Sequence, residues 1–152
     1  MKLTIRPATP EMFAELRTWR YEPPHDFYDG DAEPVRNPER WYEALDEAGA
    51  LVGNFYFEQK GDALEVGLGL RPDLTGRGLG LGFLLAGIEF GRRHFGLSRV
   101  ILNVAAFNER AIKVYERAGF RETGRHIRRF DRWGEVEFVD MEQAAERGES
   151  GG

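Results

Sequence analysis

The chain has 152 residues, 41% of them apolar and 31% charged, which is the composition of one globular domain rather than of a disordered or membrane-embedded chain. Its formal net charge of −5 argues against general nucleic-acid binding. The chain has no cysteine and only three histidines, which excludes a disulfide framework, a thiolate metal site and a cysteine nucleophile, and no metal site is expected.

Neither a membrane segment nor a secretory signal is evident. No apolar run approaches the roughly 20 residues that span a bilayer, and the first residues lack an apolar stretch. We therefore expect a cytoplasmic protein with no membrane or nucleic-acid partner, either a monomer or a homodimer.

Hydrophobic spacing and turn residues predict the elements of the first part of the chain. Residues 2–6 alternate in polarity and indicate a strand, and Thr9 and Pro10 are typical of the N-cap and first position of a helix. Residues 21–37 are rich in proline, aspartate and aromatic side chains and are too irregular for a defined element. The spacing of apolar residues predicts a second helix over 38–47.

The rest of the chain alternates between strands and helices. The predicted elements are strands over 50–59 and 63–71, a helix from 78 or 79 to 95, a strand over 99–104, a helix over 108–118, and strands over 120–130 and 135–141. At least one parallel crossover is expected, so the predicted class is α/β or α+β with a mixed sheet. A single domain over 1–145 is predicted, followed by a disordered tail over 146–152.

Glycine is unevenly placed, and the densest stretch begins inside the strand over 63–71. Glu65, Gly67 and Gly69 share one face of that strand, which leaves a single carboxylate beside a bare strip of backbone. Glycine within a strand marks a bulge or a close approach by a ligand or another backbone.

A second glycine-rich stretch, residues 77–82, opens the helix that comes next. The unpaired N–H groups and positive dipole end of a helix start attract anions, and glycines let a pyrophosphate come close. The alternative is a glycine-rich turn without a ligand. A P-loop would need a Lys-Ser or Lys-Thr pair here, and the dinucleotide pattern would need its third glycine one residue later than Gly82, so neither fits.

Two motifs together resemble the GNAT family of N-acetyltransferases. The first is Arg77, Gly80 and Gly82 after a strand ending at Arg71; the second comprises Asn108, Ala111, Tyr115, Gly119 and Phe120. The resemblance covers nearly the whole chain and implies a mixed, V-splayed sheet of six to seven strands flanked by about four helices. It also implies that acetyl-CoA lies in a split between the fourth and fifth strands.

The resemblance further implies how acetyl-CoA is held as the cosubstrate. Pantetheine would pair with the fourth strand, and the pyrophosphate would bind the amides of the glycine-rich loop. The cofactor-binding residues implied are Leu68, Gly69, Leu70, Arg77, Gly78, Leu79, Gly80, Leu81, Gly82, Asn108 and Tyr115.

Acetyl transfer to an amine requires a group that removes the amine proton and a donor for the leaving thiolate. Tyr115 suits the second role because a phenol is a neutral donor, and it lies two helical turns after Asn108 on the same face. The alternative makes Tyr115 a core aromatic and Asn108 a simple N-cap. Glu65 is the candidate base; the alternatives are a salt-bridged strand carboxylate, or deprotonation through water without a single base.

The resemblance places the acceptor beside the irregular segment over 21–37. Its candidate substrate-binding residues are Tyr21, Glu22, His25, Asp26 and Tyr28. Alternatively, this segment packs its aromatic side chains against the sheet. The expected function is acetyl-CoA-dependent N-acetylation of a primary amine by direct attack in a ternary complex. The acceptor would be a small amine, or a protein N-terminus or lysine, as in N-terminal acetyltransferases acting on ribosomal proteins. The remaining alternative is a non-catalytic acyl-CoA sensor.

Overall fold

A computed structural model describes residues 2–31 and 34–143. The strands are β1 (Thr4–Pro7), β2 (Trp41–Leu45), β3 (Leu51–Lys60), β4 (Ala63–Leu70), β5 (Arg99–Ala105), β6 (Phe120–Phe130) and β7 (Gly134–Gln143). The helices are α1 (Pro10–Leu16), α2 (Gly80–Phe95) and α3 (Glu109–Arg117). All seven strands form one sheet in the order β1-β2-β3-β4-β5-β7-β6. The predicted α+β class with a mixed sheet is confirmed.

One parallel strand pair interrupts an otherwise antiparallel sheet. The crossover through α2 brings β5 beside β4, and the two strands pair only from Ala63 to Glu65 on β4 and from Arg99 to Ile101 on β5. Past Glu65 and Ile101, the last paired residues, no further partners join the two strands within the described chain. The sheet therefore opens between its fourth and fifth strands, which is where the resemblance placed the split.

The two faces of the sheet are covered differently. Helices α2 and α3 pack on one face, where Phe55, Phe83 and Leu84 are almost wholly buried in the main core. Helix α1 covers the other face over β1 to β3 through a smaller cluster that includes Met12 and Trp19. Over β5, β7 and β6 this second face is covered by Phe27 of the irregular segment, which packs on Phe130 and Phe138.

The helix predicted over 38–47 is wrong. A short 3-10 turn, Pro38–Arg40, leads into strand β2, so the described chain has three α-helices rather than about four. Tyr42 and Ala44 are buried on one face of β2, while its two edges pair with β1 and β3. Over five residues an apolar run does not distinguish helix from strand, and the neighbouring strands decide the outcome.

The other predictions differ from the structure mainly at element ends. Strand β1 runs from Thr4 to Pro7 instead of over 2–6, and α2 begins at Gly80. The irregular segment contains a 3-10 turn, His25–Tyr28. Among the described residues, none of the helices combines the length and the hydrophobicity that a membrane-spanning helix needs. The single domain over 1–145 stays a prediction, and the tail over 146–152 lies outside the described residues.

A buried carboxylate joins the first two strands to α1. Glu43 on β2 is 3% exposed and accepts hydrogen bonds from Arg6 Nε and, at 2.8 Å, from Thr9 Oγ1. Thr9 in turn caps α1 by accepting from the N–H of Met12 at 3.1 Å. The three side chains therefore fix the position of α1 relative to the sheet.

Glu43→Gln is expected to lower the free energy of unfolding by about 1–3 kcal/mol, because the amide loses the charge-assisted bond and turns a donor toward Arg6. Urea denaturation measures the change. The matched control is Glu47→Gln in the exposed turn after β2, which removes the same charge and should change stability by less than about 0.5 kcal/mol. Equal effects of the two changes would show that the buried pair contributes nothing of its own.

Candidate active site

Backbone groups of β4 face the split. The N–H of Arg71 donates to the carbonyl of Val52 at 2.8 Å, on the β3 side. The Leu70 carbonyl belongs to the same peptide and points the opposite way, away from β3 and toward the split. Because backbone carbonyls alternate in direction along a strand, the Leu68 carbonyl points toward the split as well. The backbone of residues 68–70, where pantetheine is predicted to pair, therefore lies at the opening.

The bare strip on β4 is explained by its neighbours on β3. A Cβ at Gly69 would lie 2.7 Å from Asn54 Oδ1, closer than a real Cβ contact allows. At Gly67 the corresponding distance to the Tyr56 Cβ is 3.4 Å. The close approach at Gly69 is thus made by the Asn54 side chain of the neighbouring strand.

Glu65 lies where the split begins, at the last β4 residue that pairs with β5. Its carboxylate forms an ion pair with Lys60 Nζ at 3.1 Å and accepts a hydrogen bond from Asn103 Nδ2 at 3.3 Å. Glu65 raises the pKa of Lys60 through this contact. The salt-bridged alternative therefore has support, while the side chain remains 22% exposed on the polar face. Asn103 was not singled out from the sequence. It could have been, because Ile101 is the partner of Glu65 and side chains two residues apart on a strand share a face.

The glycine-rich loop leaves the start of α2 open. The first N–H groups of any α-helix have no partner within the helix. At the start of α2 the N-cap residue is Leu79, and no side chain caps these groups. Gly78 has φ +77°, a conformation that favours glycine. Arg110, which sequence reasoning did not single out, reaches this loop from α3: its Nη1 lies 3.5 Å from where a Cβ of Gly76 would be.

Asn108 ties α3 to the irregular segment. As the N-cap of α3 it accepts from the Ala111 N–H at 3.2 Å. Its Oδ1 also lies 3.3 Å from His25 Nε2, and its Nδ2 donates to the Tyr28 hydroxyl oxygen at 3.3 Å. Because Oδ1 carries no hydrogen, His25 Nε2 is the donor in their contact. Two predicted substrate-binding residues thus meet a predicted cofactor-binding residue.

Tyr115 projects from α3 into the core with 8% of its surface exposed. Burial raises its pKa well above the ordinary value for a phenol, and the proximity of Tyr28 acts in the same direction. Within the described residues its hydroxyl has no hydrogen-bond partner, yet no fully buried polar side-chain atom there is left unpaired. The ring is therefore a core residue, as the alternative predicted, and the hydroxyl still reaches open space.

The irregular segment also reaches the β4 wall of the split. Tyr21 donates its hydroxyl to the Leu70 carbonyl at 2.7 Å, and its own N–H donates to Asp29 Oδ1 at 2.8 Å. Desolvation raises the pKa of Tyr21 strongly. Of the five predicted substrate-binding residues, Tyr21 therefore touches the β4 wall of the split, and His25 and Tyr28 touch Asn108, which follows β5.

The other two predicted substrate-binding residues, Glu22 and Asp26, make none of these contacts. Glu22 lines a cavity of about 330 Å³ between this segment, the loop after β4 and Arg110. Asp26 makes no side-chain hydrogen bond or ion pair within the described chain. A larger cavity of about 680 Å³ lies between β1 and α2, where His94 is part of its lining, and takes no part in this site.

An aromatic cluster holds the segment on the sheet. Phe27 packs edge-on against Tyr28, Phe107 and Phe130 with ring centroids 5.0–5.5 Å apart. It also contacts Trp133 and Phe138 of the β6–β7 hairpin. The alternative that this segment packs its aromatic residues on the sheet is thus correct for Phe27, and the packing fixes where Tyr28 can point.

Residues 2–121 match the family model of the acetyltransferase (GNAT) domain. The chain belongs to this family, which confirms the resemblance drawn from its two motifs.

The proteins that this chain resembles in sequence and in fold are acetyltransferases. The chain is 39% identical over 105 residues to a mycothiol acetyltransferase of Propionibacterium freudenreichii subsp. shermanii, a match covering 59% of this chain and 32% of that protein. It is 35% identical over 106 residues to the mycothiol acetyltransferase of Salinispora tropica, covering 61% and 34%. The chain thus spans about a third of the length of these curated relatives. The fold matches a Vibrio cholerae spermidine N-acetyltransferase in complex with CoA and spermine, with TM-score 0.73, 18% identity and 92% and 94% coverage.

Proposed function

We propose that this protein transfers the acetyl group of acetyl-CoA to a primary amine by direct attack in a ternary complex. The observation that carries the proposal is the open split between β4 and β5, together with an uncapped glycine-rich helix start whose Gly80 lies against Val114 of α3, the residue before Tyr115. The residues at this split suit the cosubstrate. Backbone of 68–70 would pair with pantetheine, and the amides of 77–82 would hold the pyrophosphate.

The roles of the residues derive from the reaction. The amine nitrogen forms a bond to the thioester carbon, the carbon–sulfur bond breaks, and the proton lost by the nitrogen ends on the sulfur. Holding both reactants in the split supplies most of the acceleration, because it replaces a bimolecular encounter by an oriented one. Glu65 would take the amine proton, directly or through water, and Tyr115 would donate to the departing sulfur.

A small-molecule amine is the proposed acceptor. Similar proteins support this class: the solved neighbour is a spermidine N-acetyltransferase, and the curated relatives are mycothiol acetyltransferases. Glu22 lines the cavity beside the loop after β4, and Asp26 has no side-chain partner in the described chain, so both carboxylates would be available to a cationic acceptor. A protein N-terminus or lysine would be recognised by an extended surface instead.

Release of CoA thiol from acetyl-CoA in the presence of an amine panel tests the proposal. The chain has no cysteine, so a thiol reagent reads only the CoA produced. The panel should contain spermidine, spermine, an aminosugar, amino acids and ribosomal-protein N-terminal peptides. Turnover confined to small amines supports the proposal, and turnover confined to peptides points to the protein acceptor. Tight acetyl-CoA binding without turnover on any amine would favour the sensor.

Glu65→Gln is expected to lower kcat/KM about tenfold at pH 7, with much of the loss recovered near pH 10, where an amine of ordinary pKa deprotonates without help. The ion pair with Lys60 is partly exposed, so its loss should leave the fold intact. The control is Glu58→Gln on β3, a residue directly across from Glu65 and 24% exposed, whose loss should not give this pH signature. A pH-independent loss would leave Glu65 only a structural role.

A further inference from the structure

Tyr28 has an unusual orientation for a partly exposed tyrosine. Its residue surface is 38% exposed, yet its hydroxyl end points inward, where desolvation raises its pKa. A tyrosine at the surface ordinarily turns its hydroxyl toward water and buries its ring. Here the ring edge meets solvent and the packing of Phe27 and Phe107 keeps the hydroxyl inside.

The Tyr28 hydroxyl lies on the β5 wall of the split. The N–H of Ala106 donates to the carbonyl of Glu137 at 2.8 Å, on the β7 side, so the N–H of the preceding Ala105 points the other way, into the split. The Ala105 backbone lowers the pKa of the Tyr28 hydroxyl, which places the two groups near each other at this end of β5. Tyr21 occupies the matching place on the β4 wall, at the Leu70 carbonyl.

The remaining hydrogen of Tyr28 is directed by these contacts. Asn108 Nδ2 donates to the phenolic oxygen at 3.3 Å, and within the described residues the Tyr28 O–H itself has no acceptor. Because a lone pair of the oxygen faces the Asn108 donor, the O–H bond points away from Asn108. Tyr115 lies two turns after Asn108 on the same face of α3, and Tyr28 contributes to raising its pKa, so both phenols lie on the side of α3 that Asn108 faces.

We propose that Tyr28 is a second phenolic hydrogen-bond donor to the sulfur that leaves CoA in acetyl transfer, working together with Tyr115. The proposal rests on the proposed function and adds a catalytic residue to it. It needs no additional reactant: the electron pair of the carbon–sulfur bond stays on sulfur, and the sulfur finally takes the proton that the amine lost. Tyr28 keeps its own proton throughout.

Two donors suit the chemistry better than one. The reference pKa of a phenol, about 10, lies above that of a thiol, about 8.5, so a tyrosine stabilises a thiolate by hydrogen bonding more readily than by giving up its proton. A second N–H or O–H donor spreads the charge on sulfur without creating a buried phenolate. Asn108 would hold Tyr28 in the donating orientation.

Tyr28→Phe tests this, because phenylalanine keeps the aromatic packing and removes only the hydroxyl. We expect kcat at saturating substrates to fall about tenfold, with KM for the amine and Kd for acetyl-CoA changed by less than about threefold. Ultraviolet titration of CoA bound to the protein gives a readout that needs no turnover. The pKa of the bound thiol should rise by about one pH unit in Tyr28→Phe, and likewise in Tyr115→Phe.

The control is Tyr42→Phe, which removes a hydroxyl from the main core beside Phe57, away from the split. It should alter neither kcat nor the thiol pKa. A Tyr28→Phe variant with unchanged thiol pKa overturns the inference, and a rise in amine KM alone would make Tyr28 part of the acceptor wall only. Absence of turnover by the parent protein on every amine would refute the proposed function, while the thiol titration would still decide the role of Tyr28.

Discussion

Replacing Tyr115 with phenylalanine is expected to lower kcat by about 10²-fold while leaving the Kd of acetyl-CoA within about twofold of the parent value. The ring is buried and stays in place, so packing against Phe120 at 6.1 Å is retained. Only the hydroxyl is lost, and it is the part of the side chain that keeps contact with open space. Single-turnover kinetics at saturating amine measure the chemical step directly.

The raised pKa of Tyr115 adds a second expected result. In the folded protein the phenol stays neutral to higher pH than in the unfolded chain, where it ionises near pH 10. The unfolded state therefore binds fewer protons than the native state above that pH, and stability falls as pH rises. Tyr115→Phe should weaken this alkaline loss, which denaturant titrations at pH 8 and pH 10.5 compare.

A double variant separates the donor role from packing. If Tyr115 and Tyr28 act on the same sulfur, the loss in Tyr28→Phe combined with Tyr115→Phe will be smaller than the product of the two single losses. If Tyr115→Phe keeps full kcat when chemistry limits the rate, the donor role is wrong. Loss of acetyl-CoA binding or unfolding in this variant would favour the core-aromatic alternative instead.

The local shapes of the glycine-rich loop and of α3 could be predicted because their signals are local. A glycine run before a helix, and Asn108 two turns before Tyr115, depend on positions a few residues apart, where helix geometry fixes the relative placement of the side chains. Element order on either side of α2 was predictable for the same reason. The helix predicted over 38–47 failed because five residues of β2 carry no periodicity strong enough to oppose pairing with two strands.

The placement of the irregular segment depends on contacts between distant parts of the chain. Tyr21 meets the Leu70 carbonyl and His25 meets Asn108, pairs separated by 49 and 83 positions. The family resemblance indicated the segment as a wall of the acceptor site, but not which hydroxyl faces which wall. Phe27, the residue that anchors the segment, carries no motif, and its partners on the β6–β7 hairpin are set by the sheet order.

Gly80→Asp is expected to weaken acetyl-CoA binding by about 10²-fold without harming the fold. A Cβ at Gly80 would meet Val114 at an ordinary 3.6 Å, and the site lies in the first turn of α2, where a carboxylate stabilises a helix by about 0.3–1 kcal/mol. The same carboxylate would face the cofactor phosphates. At about 5 Å from two negative charges the repulsion runs from about 2 kcal/mol at a dielectric constant of 80 to about 7 kcal/mol at 20.

Gly80→Asn is the matched control, since it adds nearly the same volume and no charge. Calorimetry should find its Kd for acetyl-CoA much closer to that of the parent protein, and thermal unfolding should show that both variants are folded. Raising the ionic strength should recover part of the affinity lost in Gly80→Asp, because salt screens an exposed repulsion. If aspartate and asparagine weaken binding equally, the effect is steric. If neither weakens it, the pyrophosphate does not bind at the start of α2.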